Sequence, residues 1–236
     1  MDAMILAAGL GTRLRPLTYE TPKALVDVGG RPMLDHVARR VVAAGADRIV
    51  VNVSPHADAI RAHIERQEGW GADVRVSEEP DGPLETGGGL RKAAPLFRRD
   101  RPILIHNADI LTDLDLAALY GAHGRDVLAT LAVRPAESDR YLLFDDGGLL
   151  GYAYDGQEHT AREAEGAVRT RDFTGVQVVS PRLLDRMEET GKFSIFTPFM
   201  RLVAEGERIA PYDTNGARWS DIGTHEQLAA AREAWA

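Results

Sequence analysis

Two glycines and four charged side chains carry the first chemical signal. Gly9 and Gly11 stand in Leu6-Ala7-Ala8-Gly9-Leu10-Gly11-Thr12-Arg13, directly after an apolar run, and Thr21-Pro22-Lys23 follows. Glycines let backbone N–H groups point at phosphate oxygens without side-chain obstruction. Arg13 offers a planar fork of donors and Lys23 a compact point charge, together enough to hold a triphosphate. The plainer alternative is a tight strand-to-loop connection with no ligand. A dinucleotide fingerprint wants glycine at position 14, where Leu14 stands, and no segment fits a P-loop.

The other two charged groups are carboxylates. Asp109 follows the apolar run Ile103-Leu104-Ile105, and Asp221 lies in Trp219-Ser220-Asp221-Ile222-Gly223-Thr224. Ligands of open α/β sheets gather at the carboxyl ends of strands, where Asp109 falls. Mg²⁺ takes one or two protein carboxylates and completes its octahedron with phosphates and water. Taken alone, an Asp after a strand is as readily a turn former or a helix cap. A third segment, Pro83-Leu84-Glu85-Thr86-Gly87-Gly88-Gly89-Leu90, joins a strand region to a helix. Its successive glycines suit a flat base or a close backbone contact, or simply a flexible loop.

Residues 5 to 25 resemble the signature of the sugar nucleotidyltransferases, relatives of glucose-1-phosphate thymidylyltransferase and mannose-1-phosphate guanylyltransferase. The resemblance implies that Leu6, Ala7, Ala8, Gly9, Gly11, Thr12 and Arg13 wrap the nucleotide, with Lys23 on the reacting phosphates. It implies that Asp109 and Asp221 hold a catalytic Mg²⁺, so that Arg13, Lys23 and Asp109 form the catalytic set. Asn107-Ala108-Asp109 carries alanine where the family often has glycine, and Asn107 is expected at the nucleotide. Glu85, Thr86 and Gly87 are expected at the base. The Leu-Glu-Thr-Gly-Gly-Gly version is similar to that of uridylyltransferases of N-acetylmuramate 1-phosphate, a branch that serves bacterial cell-wall recycling. Phe173-Thr174-Gly175 extends the likeness and places Thr174 and Gly175 near the sugar. The family's Glu-Lys pair for the sugar phosphate is not evident, and Ser138 to Arg171 holds no readable motif.

Positioning such groups requires a scaffold, and the apolar pattern supplies one. Met4 to Ala8, Ile49 to Val53, Val74 to Ser77, Ile103 to His106 and Val127 to Val133 read as strands. Pro32 to Ala44, Ala57 to Arg66, Gly88 to Leu96 and Asp115 to Tyr120 read as the helices between them. Such alternation predicts an α/β fold: a single Rossmann-like domain over 1–236, with a mixed, mostly parallel central sheet flanked by helices. Tyr141 to Phe144 and Leu149 to Tyr154 predict a hairpin, and polar Gln157 to Arg171 a mobile loop. Val176 to Val179 is a further strand, with helices near Pro181 to Glu189 and Pro198 to Glu205. Thr224 with Gln227 is a capping-box start for a last helix. No hexapeptide repeat is present, so no C-terminal β-helix is expected.

The composition narrows the function classes. A formal net charge of −8 disfavours nucleic acid but not a mononucleotide. With no cysteine, disulfides and thiolate metal sites are excluded. No stretch approaches the roughly 18 apolar residues of a membrane span, so a cytoplasmic protein is expected. His106 reads as a core residue, Trp70, Phe97 and Phe196 as packing, and Arg98-Arg99 with Arg101 as a solvated helix end. The resulting expectation is an enzyme, a monomer or small homo-oligomer, whose partners are an NTP and a sugar 1-phosphate. UTP with an amino-sugar 1-phosphate is the first choice and a mannose- or heptose-1-phosphate guanylyltransferase the second. A noncatalytic sugar-nucleotide-binding regulator would have lost one of Arg13, Lys23, Asp109 or Asp221, and all four are present.

Overall fold

Asp2 to Ile5 are all buried, with Ala3 and Ile5 facing one apolar cluster and Met4 the other. A strand covered on both faces belongs at the centre of a sheet. The computed structural model describes residues 1–54 and 56–235, so Pro55 and Ala236 of the expected 1–236 unit lie outside the described residues. The first half runs β1 (Asp2–Leu6), β2 (Asp27–Val28), β3 (Arg31–Pro32), α1 (Met33–Ala43), β4 (Arg48–Val53), α2 (Ala57–Arg66) and β5 (Asp73–Glu78). It continues through α3 (Glu85–Ala93), β6 (Ile103–Asn107), β7 (Ile110–Thr112) and α4 (Leu116–Gly121). The second half runs β8 (Ala129–Pro135), β9 (Leu142–Asp145), β10 (Gly148–Tyr154), β11 (Gln157–Thr160) and β12 (Arg169–Val179). The chain ends in α5 (Pro181–Arg186), α6 (Phe196–Ala204), β13 (Ile209–Asp213), β14 (Trp219–Asp221) and α7 (His225–Ala234).

The expected mixed sheet is present, in the order β11-β10-β9-β12-β6-β1-β4-β5, with β8 paired to β12 and β13 to β8. β6, β1, β4 and β5 are mutually parallel, joined by crossovers through α1, α2 and α3. In register, Leu6 stands between Asn52 and Asn107, so the glycine loop of residues 7–13 leaves the sheet level with both. α1 and α2 cover one face around Leu34, Val41 and Ile60, while α3 and α6 cover the other around Leu90 and Phe199. A third cluster gathers Leu14, Met33, Leu111, Ile222 and Leu228. Leu14, the residue that breaks the dinucleotide fingerprint, is therefore the anchor that ties the glycine loop to β7 and α7.

Two expectations change. Gln157 to Arg171 is not a structureless loop: β11 pairs with β10, and Arg169 already belongs to β12. Arg162 holds the link by donating to Asp145, whose carboxylate is fully buried and also accepts from Gly147 N–H (2.9 Å) and Glu165 N–H (2.7 Å). Arg98 is not a solvated helix end. Its backbone N–H donates to buried Asp2 (2.7 Å), and its guanidinium bridges Asp2 and Asp47.

Candidate active site

The C-terminal ends of β1 and β6 open on one side of the sheet, and the charged residues gather there. β14 lies antiparallel on β7, with Asp221 opposite Ile110, and Ile222 N–H donates to the Asp109 carbonyl at 3.1 Å. The two aspartates are thus neighbours across a two-stranded ribbon. Lys23 Nζ donates to Asp109 Oδ2 at 2.5 Å, with the lysine side chain only 12% exposed. Asp221 is half-buried, and its Oδ1 is buried without a hydrogen-bond partner. Burial raises the Asp221 pKa above the usual carboxylate value and the Asp109 charge adds to the rise, while Lys23, the Gly223 amide and Arg13 oppose it.

Gly223 explains how Arg13 reaches this point. A Cβ there would lie 2.8 Å from Arg13 Nη2, 3.0 Å from Gln227 Oε1 and 3.2 Å from Asp221 Oδ1. Only a residue without a side chain lets those three groups converge. The capping box at α7 is half made: Thr224 Oγ1 accepts from Gln227 N–H, but Gln227 Oε1 turns toward the site and has no partner.

The glycine loop is held by Thr18, and most of its residues reach the surface. Thr18 Oγ1 donates to the Gly11 carbonyl at 2.7 Å. Gly11 adopts φ +61°, and a Cβ would meet Thr18 Cγ2 at 2.8 Å, so glycine is required. Ala8, Gly9, Leu10, Gly11 and Thr12 donate no backbone hydrogen bond among the described residues. Unpaired amides on an exposed turn are free for an anion. Ala7 differs, because its N–H is taken by Asn52 Oδ1 at 2.8 Å. Ala108, the family's usual glycine position, packs its methyl into the core at 3% exposure, so alanine fits.

Several expected contacts are redirected. Gly87, Gly88 and Gly89 lie inside α3, and their absent side chains face protein rather than a base. Cβ atoms there would stand 2.5 Å from Phe193 Cε2, 2.4 Å from the Gly191 carbonyl and 2.8 Å from Asn52 Nδ2. The bare surface read from the sequence is therefore a packing requirement. Thr86 Oγ1 accepts from Ile195 N–H (2.9 Å), and Glu85, exposed at φ +62°, faces Lys192 at 3.6 Å. The Thr174 side chain is 2% exposed and donates to the Ala132 carbonyl, so it does not face the sugar side. Its carbonyl instead accepts from Trp219 Nε1 at 2.8 Å. Gly175 (φ +82°) packs on Asn107, whose Nδ2 would be 2.9 Å from a Cβ.

Beyond Trp219 a cleft of about 870 Å³ opens between the β9–β11 hairpin and α6. Arg134, Arg140, Tyr152, Phe173, Phe196 and Trp219 line it. Phe196, expected only to pack, meets Phe173 edge-on (5.7 Å between centroids) and forms part of its wall. Of these positions only Phe173 and Trp219 lie in segments with a readable motif. Elsewhere, His106 is the buried core residue expected: burial lowers its pKa to about 4, and its Nδ1 lies 2.8 Å from the Asn107 carbonyl. No helix among the described residues is long and apolar enough to cross a membrane.

Unpaired amides beside two carboxylates at the end of an α/β sheet are the arrangement a bound nucleotide would need. Residues 2–141 match the family described as Nucleotidyl transferase. The chain is 34% identical to an N-acetylmuramate alpha-1-phosphate uridylyltransferase of Caulobacter vibrioides, over 97% of this chain and 94% of that protein. It is 30% identical to a mannose-1-phosphate guanyltransferase of Neurospora crassa, over 94% of this chain but 61% of that longer protein. The crystal structure of HddC from Yersinia pseudotuberculosis complexed with GMP-PN shares the fold (TM-score 0.77, 23% identity, 100% of this chain and 99% of that one). The chain belongs to the nucleotidyl transferase family, among its sugar-1-phosphate nucleotidyltransferases.

Proposed function

We propose that this chain transfers a uridylyl group from UTP to N-acetylmuramate 1-phosphate, giving the UDP-sugar and pyrophosphate. The observation that carries the transfer chemistry is the meeting of Lys23, Asp109 and Asp221 beside the open amides of Ala8 to Thr12. The choice of base and sugar is supported by two relatives of that activity, 34% and 32% identical over nearly the whole chain. The guanylyltransferase alternative is supported by relatives at 30% identity or below whose length this chain only partly spans. Residues 1–236 act as one unit in this reading, in the cytoplasm where nucleoside triphosphates are supplied.

The donor set fits a hard divalent ion. Asp221 Oδ1 is an orphaned buried oxygen, and Asp109 has one oxygen on Lys23. Mg²⁺ takes one or two protein carboxylates and completes its octahedron with phosphates and water, a demand these two aspartates could meet. Bound to Asp109 and Asp221, Mg²⁺ would neutralise charge on the phosphates.

A sugar 1-phosphate is an anion near neutral pH, so no side chain need remove a proton from its attacking oxygen. The barrier is electrostatic, one anion approaching another, and positioning with charge neutralisation lowers it. Arg13 and the loop amides hold the outgoing pyrophosphate, while Lys23 turns from Asp109 to the α-phosphoryl group. The new bond joins a sugar-phosphate oxygen to the α-phosphorus, and the α–β bridging bond breaks. The test is pyrophosphate release across UTP, GTP, CTP, dTTP and ATP against a panel of sugar 1-phosphates. Turnover confined to UTP with N-acetylmuramate 1-phosphate is expected; a preference for GTP with mannose 1-phosphate would replace this reading.

A further inference from the structure

Two arginines, Arg134 and Arg140, line the large cleft against one lining carboxylate, Asp172. Arg134, on β8, stacks over the Trp219 ring at 4.3 Å from its centroid. Trp219 is itself pinned through Nε1 to the Thr174 carbonyl and lies on the same short strand as Asp221. The Arg134 side chain is 29% exposed, and its guanidinium donates no hydrogen bond to protein among the described residues. Its carboxylate neighbours, Asp172 and Glu137, stay at 3.6 Å. Asp172 is buried, and its oxygens accept from Glu137 N–H (3.1 Å) and Ser138 Oγ (3.0 Å). Arg140 stacks on Tyr154 (4.5 Å) and makes only a 3.4 Å contact to that residue's hydroxyl. Opposite them, Tyr152, Phe173 and Phe196 form an apolar wall.

An arginine fork held flat by an aromatic ring, its carboxylate neighbours no nearer than 3.6 Å, is suited to a planar oxyanion such as a carboxylate. The 1-phosphate of the substrate belongs at the Lys23–Asp109–Asp221 end, so it does not account for two further arginines. We infer that Arg134, assisted by Arg140, is a specificity residue that selects sugar 1-phosphates bearing a carboxylate substituent over neutral ones. This rests on reading the cleft as the sugar side of a nucleotidyltransferase site. The apolar wall would take the carbon stem that carries the carboxyl.

The test uses matched pairs differing by a carboxyl: N-acetylmuramate against N-acetylglucosamine 1-phosphate, and glucuronate against glucose 1-phosphate. kcat/KM is measured with whichever nucleoside triphosphate the enzyme accepts. One charge-assisted fork predicts an acid-to-neutral ratio of about 10- to 100-fold in at least one pair. Arg134→Gln should bring that ratio to within about threefold, through KM rather than kcat, and Arg134→Lys should retain part of it. Thermal protection by each sugar phosphate alone reads the same preference without turnover, so an inactive preparation sinks the enzymatic reading but still decides this one. Acid preference in the glucuronate pair alone would support the inference while removing N-acetylmuramate as substrate. A wild-type ratio near one, or an Arg134→Gln variant that weakens both members equally, would overturn it.

Discussion

Glu79 should be the residue on which both nucleotide-facing loops depend. Its side chain is buried at 2% exposure, with Oε1 accepting from Asn52 Nδ2 (2.8 Å) and Oε2 from Leu84 N–H (2.7 Å). Asn52 Oδ1 in turn accepts from Ala7 N–H, so one chain of bonds ties the start of the phosphate loop to the entrance of α3. Gly89 lets the helix approach this chain, since a Cβ there would meet both Asn52 and Glu79 at 2.8 Å. Glu79→Ala leaves two buried donors without acceptors, at about 1–3 kcal/mol each, a loss of about 2–6 kcal/mol. Glu79→Gln keeps the shape but turns one acceptor into a donor, costing about 1–3 kcal/mol. Urea unfolding at neutral pH measures both. With the stable Glu79→Gln variant, KM for the nucleotide should rise about tenfold and KM for the sugar phosphate should stay within about twofold. A Glu79→Ala loss below about 1 kcal/mol, or equal rises in the two KM values, would refute the reasoning.

Other expectations concern stability. His106 takes a proton near pH 4 when folded, against 6.5 for an ordinary histidine. Between those values the unfolded chain binds the extra proton, so stability is complete above pH 6.5 and falls with pH, by about 2 kcal/mol at pH 5. Urea midpoints at pH 7 and pH 5 should differ by less in His106→Asn than in the wild type, and an unchanged difference would count against the buried neutral imidazole. Gly88→Ala puts a methyl where the Gly191 carbonyl stands 2.4 Å away; a cost of about 1–3 kcal/mol should appear as a lower Tm. Arg162→Ala leaves the buried Asp145 carboxylate without its cation, costing about 3–5 kcal/mol. Limited proteolysis should then cut between 157 and 168, and wild-type resistance would argue against the anchor.

The parts of this structure visible in the sequence are those whose burial repeats along the chain. β1, β4 and β6 are covered on both faces and read as largely apolar runs, and α1 carries its stripe from Met33 to Val41. Leu14 was legible as a misfit for another motif before its burial supplied a reason. The β11 edge was hidden because all its residues are exposed and its order comes from backbone pairing and from Arg162 reaching Asp145. The packing role of Gly87 to Gly89 was hidden because the groups they accommodate, Phe193, Gly191, Asn52 and Glu79, lie outside the segment. Arg134 and Trp219 belong to distant segments whose meeting depends on β8 and β14 being placed by the sheet. The same holds for Asn52 and Glu79, which carry no local signal beyond being polar at the ends of apolar strands.

The most direct test is pyrophosphate release by Asp109→Asn and Asp221→Asn beside the wild type, with Mg²⁺ and with chelator, using UTP and N-acetylmuramate 1-phosphate. Chelator-sensitive turnover is expected in the wild type and a loss of at least about 100-fold in each variant, with Tm values that show both still folded. Near-wild-type turnover in either folded variant, or turnover indifferent to chelator, would contradict this expectation.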